Sequence, residues 1–183
     1  MTTRQAPPDS LTMDGAVTIR PMRPADWPGV WRVLEPVFRA GETFPHDPAI
    51  EEAEARRLWL APDQAVFVAL AADREVVGTF YLRANSLSLG AHVANAGYAV
   101  AEPWRRQGIG SQLCQHSLAE ARRRGYRALQ FNLVVSSNTA ALACWQANGF
   151  AIVGTLPGAF RHPRLGFVDA HVLFRALLEA PEP

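Results

Sequence analysis

The sequence YAVAEPWRRQGIGS, residues 98–111, predicts a strand, a tight basic turn and the beginning of a helix. Pro103 ends the strand, because proline lacks a backbone N–H and fixes its own φ. From Gly110 onward, small and apolar residues recur at helical spacing, at Leu113, Cys114, Ser117, Leu118 and Ala121. The turn therefore leads the chain from a sheet directly into the N-terminus of a helix.

This turn has the composition of an anion-binding site. Gly108 and Gly110 carry no Cβ, so backbone amides there can approach a ligand closely. The helix begins on N–H groups without intrahelical partners, at the positive end of its dipole, and Arg105 and Arg106 stand beside it. Two nucleotide motifs do not fit. Leu113 replaces the third small residue of G-x-G-x-x-G/A, and no Gly-Lys-Ser/Thr follows as in a P-loop.

Composition narrows the classes of protein to which this chain can belong. It has 183 residues, 49% of them hydrophobic and 19% charged, which is an ordinary balance for one globular domain. A net charge of +1 gives no reason to expect a nucleic-acid partner. No signal peptide and no apolar run of about 18 residues or more is visible, so no membrane partner is expected.

The cysteines and histidines indicate a reduced protein without a metal. Cys114 and Cys144 each fall at a small apolar position of a predicted helix, which is typical of buried free thiols and of a cytoplasmic protein. The five histidines do not pair with each other or with a cysteine at metal-ligand spacing, so no metal cofactor is expected.

The residues from Arg105 to Gly110 match the pattern Arg/Gln-x-x-Gly-x-Gly/Ala, placed after a strand that ends in Val-x-x-Pro. This turn resembles the pyrophosphate-binding loop of the GCN5-related N-acetyltransferases, the GNAT family, which use acetyl-coenzyme A (acetyl-CoA) as co-substrate. A second segment, Asn138–Phe150, is similar to the family helix Asn-x-x-Ala-x-x-x-Tyr-x-x-x-Gly-Phe. The resemblance covers roughly residues 16–176 and implies an acyltransferase that moves an acetyl group onto an amine.

The order of the predicted elements is β-α-α-β-β-β-α-β-α-β-β. This order gives an α/β protein (α+β, mixed sheet) with about seven strands and helices on both faces, which is also the element order of the GNAT family. We expect a flexible leader over residues 1–15, a single acetyltransferase domain over 16–178 and a frayed tail over 179–183. Pro36 is expected to kink or end the first helix, and residues 156–163 are expected to form a loop.

The resemblance also implies which residues bind the coenzyme and assist the reaction. The backbone N–H of Val100 is the first candidate for the donor that stabilises the oxyanion, and that of Ala101 is the second. Asn138 either presents its amide to the pantetheine arm, caps the helix that follows it, or does both. The coenzyme-binding residues implied in this way are Val100, Arg105, Arg106, Gln107, Gly108, Gly110, Ser111, Asn138 and Trp145.

Trp145 departs from the family pattern, which commonly has a tyrosine at this position to protonate the departing thiolate. An indole N–H is not a practical proton donor to a thiolate. Either Tyr98 or Ser136 supplies a hydroxyl instead, or the thiolate leaves without a dedicated acid. The second route is acceptable because the coenzyme A thiol is comparable with a free cysteine, whose pKa is ~8.5.

A closer resemblance concerns the acceptor. Residues 90–98, residues 130–134 and Asn138 look like the matching segments of the fungal azetidine-2-carboxylate N-acetyltransferases, the sigma1278b-type enzymes that detoxify proline analogues. This resemblance implies roles in substrate binding and catalysis for Asn95, Asn132 and Asn138. An amide inside an apolar strand, such as Asn132, costs about 1–3 kcal/mol if it is unpaired. Asn132 is therefore either a substrate ligand or a structural hydrogen-bonding group across the separating strands.

Two loops rich in functional groups are candidates for the rim of the acceptor site. The first, Gly41–Pro48, is either a helix–helix connection or a substrate lip, and its Glu42 is a candidate general base or amine anchor. In the second, residues 156–163, Arg161 or His162 either meets a substrate carboxylate or lies on the rim. The substrate-binding candidates from the two loops are Phe44, Phe160, Arg161 and His162.

Three functions stay open at this point. The first is acetyl-CoA-dependent N-acetylation of a small amine, including an amino acid or cyclic imino acid. The second is N-acetylation of a protein or peptide, which an open, flat acceptor groove would favour. The third is a coenzyme A-binding sensor without turnover, to which the tryptophan at position 145 points. Because the family is often dimeric, a homodimer is expected by analogy.

Overall fold

The computed structural model describes residues 17–178. The predicted leader over residues 1–15 and the predicted tail over 179–183 lie outside the described residues. The helices and strands of the described part are β1 (Thr18–Pro21), α1 (Trp27–Ala40), α2 (Glu52–Trp59), β2 (Ala65–Leu70), β3 (Val76–Ala84), β4 (Val93–Val100), α3 (Ile109–Arg123), β5 (Ala128–Val135), α4 (Thr139–Ala147), β6 (Ala151–His162) and β7 (Gly166–Ala176).

The strands form one sheet in the order β1-β2-β3-β4-β5-β7-β6. β4 and β5 run parallel, whereas the other neighbouring pairs in the described part of the chain are antiparallel. A parallel pair needs a crossover connection, and α3 supplies it. The predicted fold class, a mixed seven-stranded sheet with helices, is confirmed.

Helices cover both faces of this sheet. On one face, Leu34 of α1 and Trp59 of α2 share a buried cluster with Val68 of β2. On the other face, Leu113 of α3 shares a second buried cluster with Phe80 of β3. Successive side chains of a strand point to opposite faces, so the central strands contribute to both clusters.

The first helix differs from its prediction. α1 continues past Pro36 to Ala40 and ends at Gly41, whose φ is 63° and whose N–H donates to the carbonyl of Phe38. Pro36 is exposed, so the carbonyl that loses its helical partner faces water. The opposite side of the helix is buried in the core around Val37, and this packing outweighs the local cost of proline.

The segment 156–163 also differs from its prediction. It is not a loop, because β6 extends to His162 and pairs with β7 as far as His162↔Gly166. The register shifts between Leu156 and Phe160, which marks a bulge around Pro157. Proline and bulges are tolerated at the edge of a sheet, and β6 is an edge strand.

The sheet opens between β4 and β5. Their parallel register includes two residue pairs, Val93↔Ala128 and Ala94↔Leu129. At the next position, a side chain replaces the backbone in linking the two strands. Nδ2 of the buried Asn95 donates a hydrogen bond to the carbonyl of Gln130 over 2.9 Å. Beyond Asn95 the two strands continue to Val100 and Val135 without further pairing in that register.

We predict that this side-chain bond stabilises the edge of the opening. Asn95→Asp places a carboxylate oxygen against the carbonyl oxygen of Gln130, and two acceptors cannot share a hydrogen bond. The free energy of unfolding, measured by urea denaturation, should fall by about 1–3 kcal/mol. Asn132→Asp is the matched control, because Asn132 is exposed on β5. This control should change the free energy of unfolding by about 0.5 kcal/mol or less. Equal losses in the two variants would contradict the structural role of Asn95.

Candidate active site

The opening between β4 and β5 leads to two adjoining cavities. The larger cavity has a volume of about 490 Å³ and lies between the C-terminal end of β4 and the N-terminus of α4. The smaller cavity has a volume of about 330 Å³ and lies against β3, β4, β5 and the loop that follows α1. Thr43, Tyr98 and Asn138 line both cavities, so this is where they meet.

The amides of β4 alternate between its two neighbouring strands. The N–H of Ala101 donates to the carbonyl of Val77 on the β3 side, over 2.9 Å. Because consecutive amides of a strand point in opposite directions, those of Tyr98 and Val100 point to the β5 side, where pairing has stopped. Ala101, the second candidate for an oxyanion donor, is therefore excluded, because its N–H is already bonded to β3.

The basic turn after β4 has the backbone of an anion-binding loop. Arg106 and Gly108 both have positive φ, 60° and 79°, and Gly108 is the N-cap of α3. As the N-cap residue, Gly108 has no side chain that could cap the first turn of α3. Arg105 and Arg106 are exposed next to it, and Arg105 lines the larger cavity. The turn thus presents uncapped backbone amides and two arginines on the surface, close to the larger cavity.

Three other residues of the predicted coenzyme site lie in this turn or directly after it. Gln107 donates from Nε2 to the carbonyl of Pro103 over 3.0 Å, which ties the turn to its own beginning. Ser111 bonds to the side chain of Asn148 on the α4 side, with Nδ2 of Asn148 3.0 Å from its Oγ. A Cβ added at Gly110 would lie 3.7 Å from Sγ of Cys144, which is ordinary contact.

Asn138 caps α4. Its Oδ1 accepts a hydrogen bond from the backbone N–H of Ala141 over 3.1 Å. The cap uses Oδ1 and not Nδ2, and the residue lines both cavities. The capping role considered from the sequence is thus present, and it leaves the amide nitrogen for a ligand.

Trp145 and Tyr98 form part of an aromatic wall. The ring centroids of Trp145 and Tyr98 are 4.8 Å apart, and those of Trp145 and Phe131 are 5.0 Å apart. The Tyr98 hydroxyl is 2.6 Å from Oγ of Ser117 on α3. Burial raises the pKa of Tyr98 well above its ordinary value of 10. This hydroxyl is therefore protonated, and it is already hydrogen-bonded to Ser117 of α3. Ser136, the other candidate acid, does not line either cavity.

The smaller cavity brings together several predicted acceptor residues. Asn95, Asn132, Asn138 and Phe44 all line it. Asn132 is not a buried amide, as its position in an apolar strand suggested. It is exposed, and it bonds to Asn85 over 2.7 Å and to Gln130 over 2.8 Å. The register shift of β5 between Phe131 and Val134 breaks the regular alternation at this point.

Two basic residues of the smaller cavity, His46 and Arg83, were not among the site residues predicted from the sequence. His46 packs parallel to Phe44 at 6.0 Å, and burial lowers the pKa of its imidazole below 6.5, partly offset by Glu54. The imidazole is therefore neutral at pH 7. Arg83 of β3 lies with its Cζ 5.8 Å from the ring centroid of Tyr81. Arg83 is placed in the cavity by its pairing with Asn95 across β3 and β4. A single sequence does not show which residues of two strands are paired, so the sequence did not indicate Arg83.

The site residues predicted in the β6–β7 hairpin do not all lie at the cavities. His162 is buried and lines the larger cavity, and its Nε2 lies 4.0 Å from Oε1 of Glu42. The same carboxylate oxygen accepts a bond from Arg164 over 2.6 Å. Phe160 is buried and Arg161 is exposed, and neither lines either cavity. Arg164, and not Arg161, is therefore the arginine of this hairpin at the site.

Residues 17–178 contain neither a metal-binding group of side chains nor a helix that could cross a membrane. No group of three or more His, Cys, Asp or Glu side chains there is arranged to hold a metal ion. None of the helices in this part of the chain is both long enough and apolar enough to cross a membrane.

Comparisons with known proteins give a consistent assignment. The family model described as Acetyltransferase (GNAT) family matches residues 27–150. N-acetyltransferase aca1 of Schizosaccharomyces pombe is 31% identical over 113 residues, which are 61% of this chain and 54% of that protein. The chain thus spans about half the length of this curated relative.

Solved structures have the same fold. A GCN5-related N-acetyltransferase from Kribbella flavida is 41% identical, with coverage of 88% of this chain and 98% of that one and a TM-score of 0.84. A phosphinothricin acetyltransferase from Sinorhizobium meliloti, solved in complex with acetyl-CoA, is 19% identical, with 90% coverage of each chain and a TM-score of 0.79. This second likeness concerns the fold alone. The chain belongs to the GNAT family of acetyltransferases.

Proposed function

We propose that this protein is an N-acetyltransferase that moves the acetyl group of acetyl-CoA to the amine of a small molecule. One observation carries the proposal. The opening between β4 and β5 lies beside the uncapped, arginine-flanked turn of α3 and adjoins a small cavity lined by asparagines and aromatic rings.

The coenzyme fits the turn and the larger cavity. Uncapped amides at a helix N-terminus, with positive φ before them and arginines beside them, suit a pyrophosphate. In the proposal, the amides of β4 that face the opening and the side chain of Asn138 bind the pantetheine arm. The ring of Trp145, which lines the smaller cavity, bounds the arm on the acceptor side. The residues assigned to the pyrophosphate are Arg105, Arg106, Gln107, Gly108, Gly110 and Ser111.

Bound acetyl-CoA supplies an acetyl group on a thioester, which an uncharged amine takes with release of the thiolate. The protein stabilises the negative charge that develops on the carbonyl oxygen, and backbone N–H groups aimed at it do this without reorganisation. Val100 is the donor expected from the sequence, and its N–H faces the opening. The N–H of Tyr98 has the same orientation, and Tyr98 lines both cavities, so this N–H is a second candidate donor.

The amine must give up a proton, and two side chains are placed to take it. Glu42 lines the larger cavity, although Arg164 occupies one of its oxygens. His46 lines the smaller cavity as a neutral imidazole, which is the form of a general base. The thiolate leaves without a dedicated acid in this scheme, because Ser117 already binds the Tyr98 hydroxyl and the coenzyme A thiol is comparable with a free cysteine, whose pKa is ~8.5.

The size of the smaller cavity favours a small acceptor over a protein. Its volume of about 330 Å³ lies at the low end of the range of roughly 300–1,000 Å³ that is typical of small-molecule sites. Asn95, Asn132 and Asn138 supply neutral hydrogen-bonding groups there. Such a lining suits an amino acid or cyclic imino acid, including azetidine-2-carboxylate.

We place the protein in the cytoplasm as part of the same proposal. Cys114 is buried and Cys144 is half-buried, and both are free thiols. Burial raises the pKa of Cys114 to about 12, so it is an unreactive thiol. Free thiols of this kind suit a reducing compartment.

Thiol release from acetyl-CoA tests the proposed activity. The acceptor panel contains ordinary amino acids, azetidine-2-carboxylate, hydroxyproline, polyamines and short peptides. We expect turnover with small amino or imino acids, and a loss of about tenfold or more in Asn132→Ala, because a hydrogen bond to the acceptor is removed. Asn85→Ala is the control, since it removes the bond to Asn132 from outside the smaller cavity and should change the rate little.

Two outcomes would contradict the proposal. Turnover confined to peptides would indicate a protein N-acetyltransferase. Tight binding of coenzyme A by calorimetry, without transfer to any acceptor, would indicate a sensor.

We also propose a homodimer that forms along β6. This strand is an edge of the sheet, and Ile152, Val153 and Leu156 are exposed on it. An exposed apolar edge strand is a template for pairing with a second chain. Light scattering should give a dimer for the wild type and a monomer for Val153→Glu. Leu89→Glu, at an exposed leucine between β3 and β4, should stay dimeric. A monomeric wild type would contradict the proposal.

A further inference from the structure

The lining of the smaller cavity has an unbalanced charge. Arg83 contributes a permanent positive charge, and His46 is neutral at pH 7. No aspartate or glutamate is among the described residues that line this cavity. A cavity of this kind attracts an anionic group of the ligand. It repels any positively charged group that the ligand carries in addition to the reacting amine.

From this lining we infer that the acceptor carries a carboxylate next to its amine, and that Arg83 binds this carboxylate. The inference rests on the proposed function and names the class of acceptor. It assigns Arg83 as the residue that selects amino or imino acids over amines without an acid group.

Arg83 has hydrogen-bonding capacity that the protein leaves unused. Its Nε is buried and has no hydrogen-bond partner among residues 17–178. Arg83 also has no ion-pair partner among residues 17–178. A buried unpaired donor costs about 1–3 kcal/mol, and more when it is charged, so a native structure usually satisfies it with a ligand or an ordered water. A carboxylate is the natural partner, because a guanidinium can bind it with two parallel N–H···O bonds.

The surroundings of Arg83 hold it in place for this role. Its guanidinium lies against the face of Tyr81, which orients a planar cation. Arg83 and Asn95 are paired across β3 and β4, so their side chains lie on the same face of the sheet, next to each other. Asn95 is in turn fixed to the carbonyl of Gln130. The cation therefore stands beside the opening in the sheet, on the acceptor side.

The other basic residues suggested for a carboxylate are less suitable. Arg161 is exposed and lines neither cavity. His162 and Arg164 line the larger cavity, where both already face Glu42. A carboxylate there would compete with Glu42, whereas a carboxylate at Arg83 meets no competing anion among the lining residues.

Matched acceptor pairs test the inference. Each amino or imino acid of the panel, proline and azetidine-2-carboxylate included, is compared with its carboxamide, which keeps the amine and removes the negative charge. We expect the wild type to prefer the acid about 10- to 100-fold in kcat/KM, as fits a charged hydrogen-bonded pair. Arg83→Gln should lose this preference, mainly through a higher KM for the acid, while the KM for acetyl-CoA stays the same. Arg83→Lys, which keeps the charge, should restore part of it.

Arg161→Gln separates the two possible anchors. The inference is wrong if this variant loses the preference for acids and Arg83→Gln keeps it. It is also wrong if the wild type uses acids and carboxamides equally well, or if Arg83→Gln slows both to the same extent.

Calorimetry distinguishes failure of this inference from failure of the proposed function. The same acids are titrated into wild-type protein and into Arg83→Gln, each saturated with coenzyme A. If no acceptor is acetylated but an acid binds to the wild type and not to Arg83→Gln, the proposed function is wrong and the carboxylate site stands. If no acid binds to either protein, the carboxylate site is wrong as well.

Discussion

The loss of pairing between β4 and β5 is the constraint on which the rest of the site depends. These strands are parallel, so the chain must cross over between them, and α3 makes this connection. The crossover begins at the C-terminal end of β4, which is also the end where the strands have separated. The uncapped N-terminus of α3 and the opening in the sheet therefore lie at the same place for a topological reason.

The same strand supplies both sides of the site. The side chain of Asn95 lies among the residues of the smaller cavity, next to Arg83. Tyr98, three residues later, points to the other face and bonds to Ser117 of α3. This follows from the alternation of side chains along a strand. In the proposed site, one opened strand thus presents backbone amides to the coenzyme and side chains to the acceptor.

Most of the fold can be predicted from local patterns in the sequence. Helical and strand periodicity predicts the element order, and the turn at Gly108 is visible because proline, arginine and glycine stand at fixed spacing. Long-range packing explains the errors. Pro36 does not end α1, because the buried side of that helix packs in the core. β6 continues through a bulge because it pairs with β7 on both sides of it. The sequence likewise does not reveal Arg83, whose importance depends on its register with Asn95.

Calorimetry with a matched pair of variants measures whether the turn before α3 binds acetyl-CoA, as proposed. Gly108 and Gly125 have φ of 79° and 82°, and a Cβ at either would meet nothing within 4 Å. They stand at opposite ends of α3. Aspartate tolerates this backbone conformation. We predict that Gly108→Asp weakens acetyl-CoA binding at least about tenfold, because its carboxylate repels the pyrophosphate, and that Gly125→Asp binds like the wild type. Equal affinity in all three proteins would mean that acetyl-CoA does not bind at this turn.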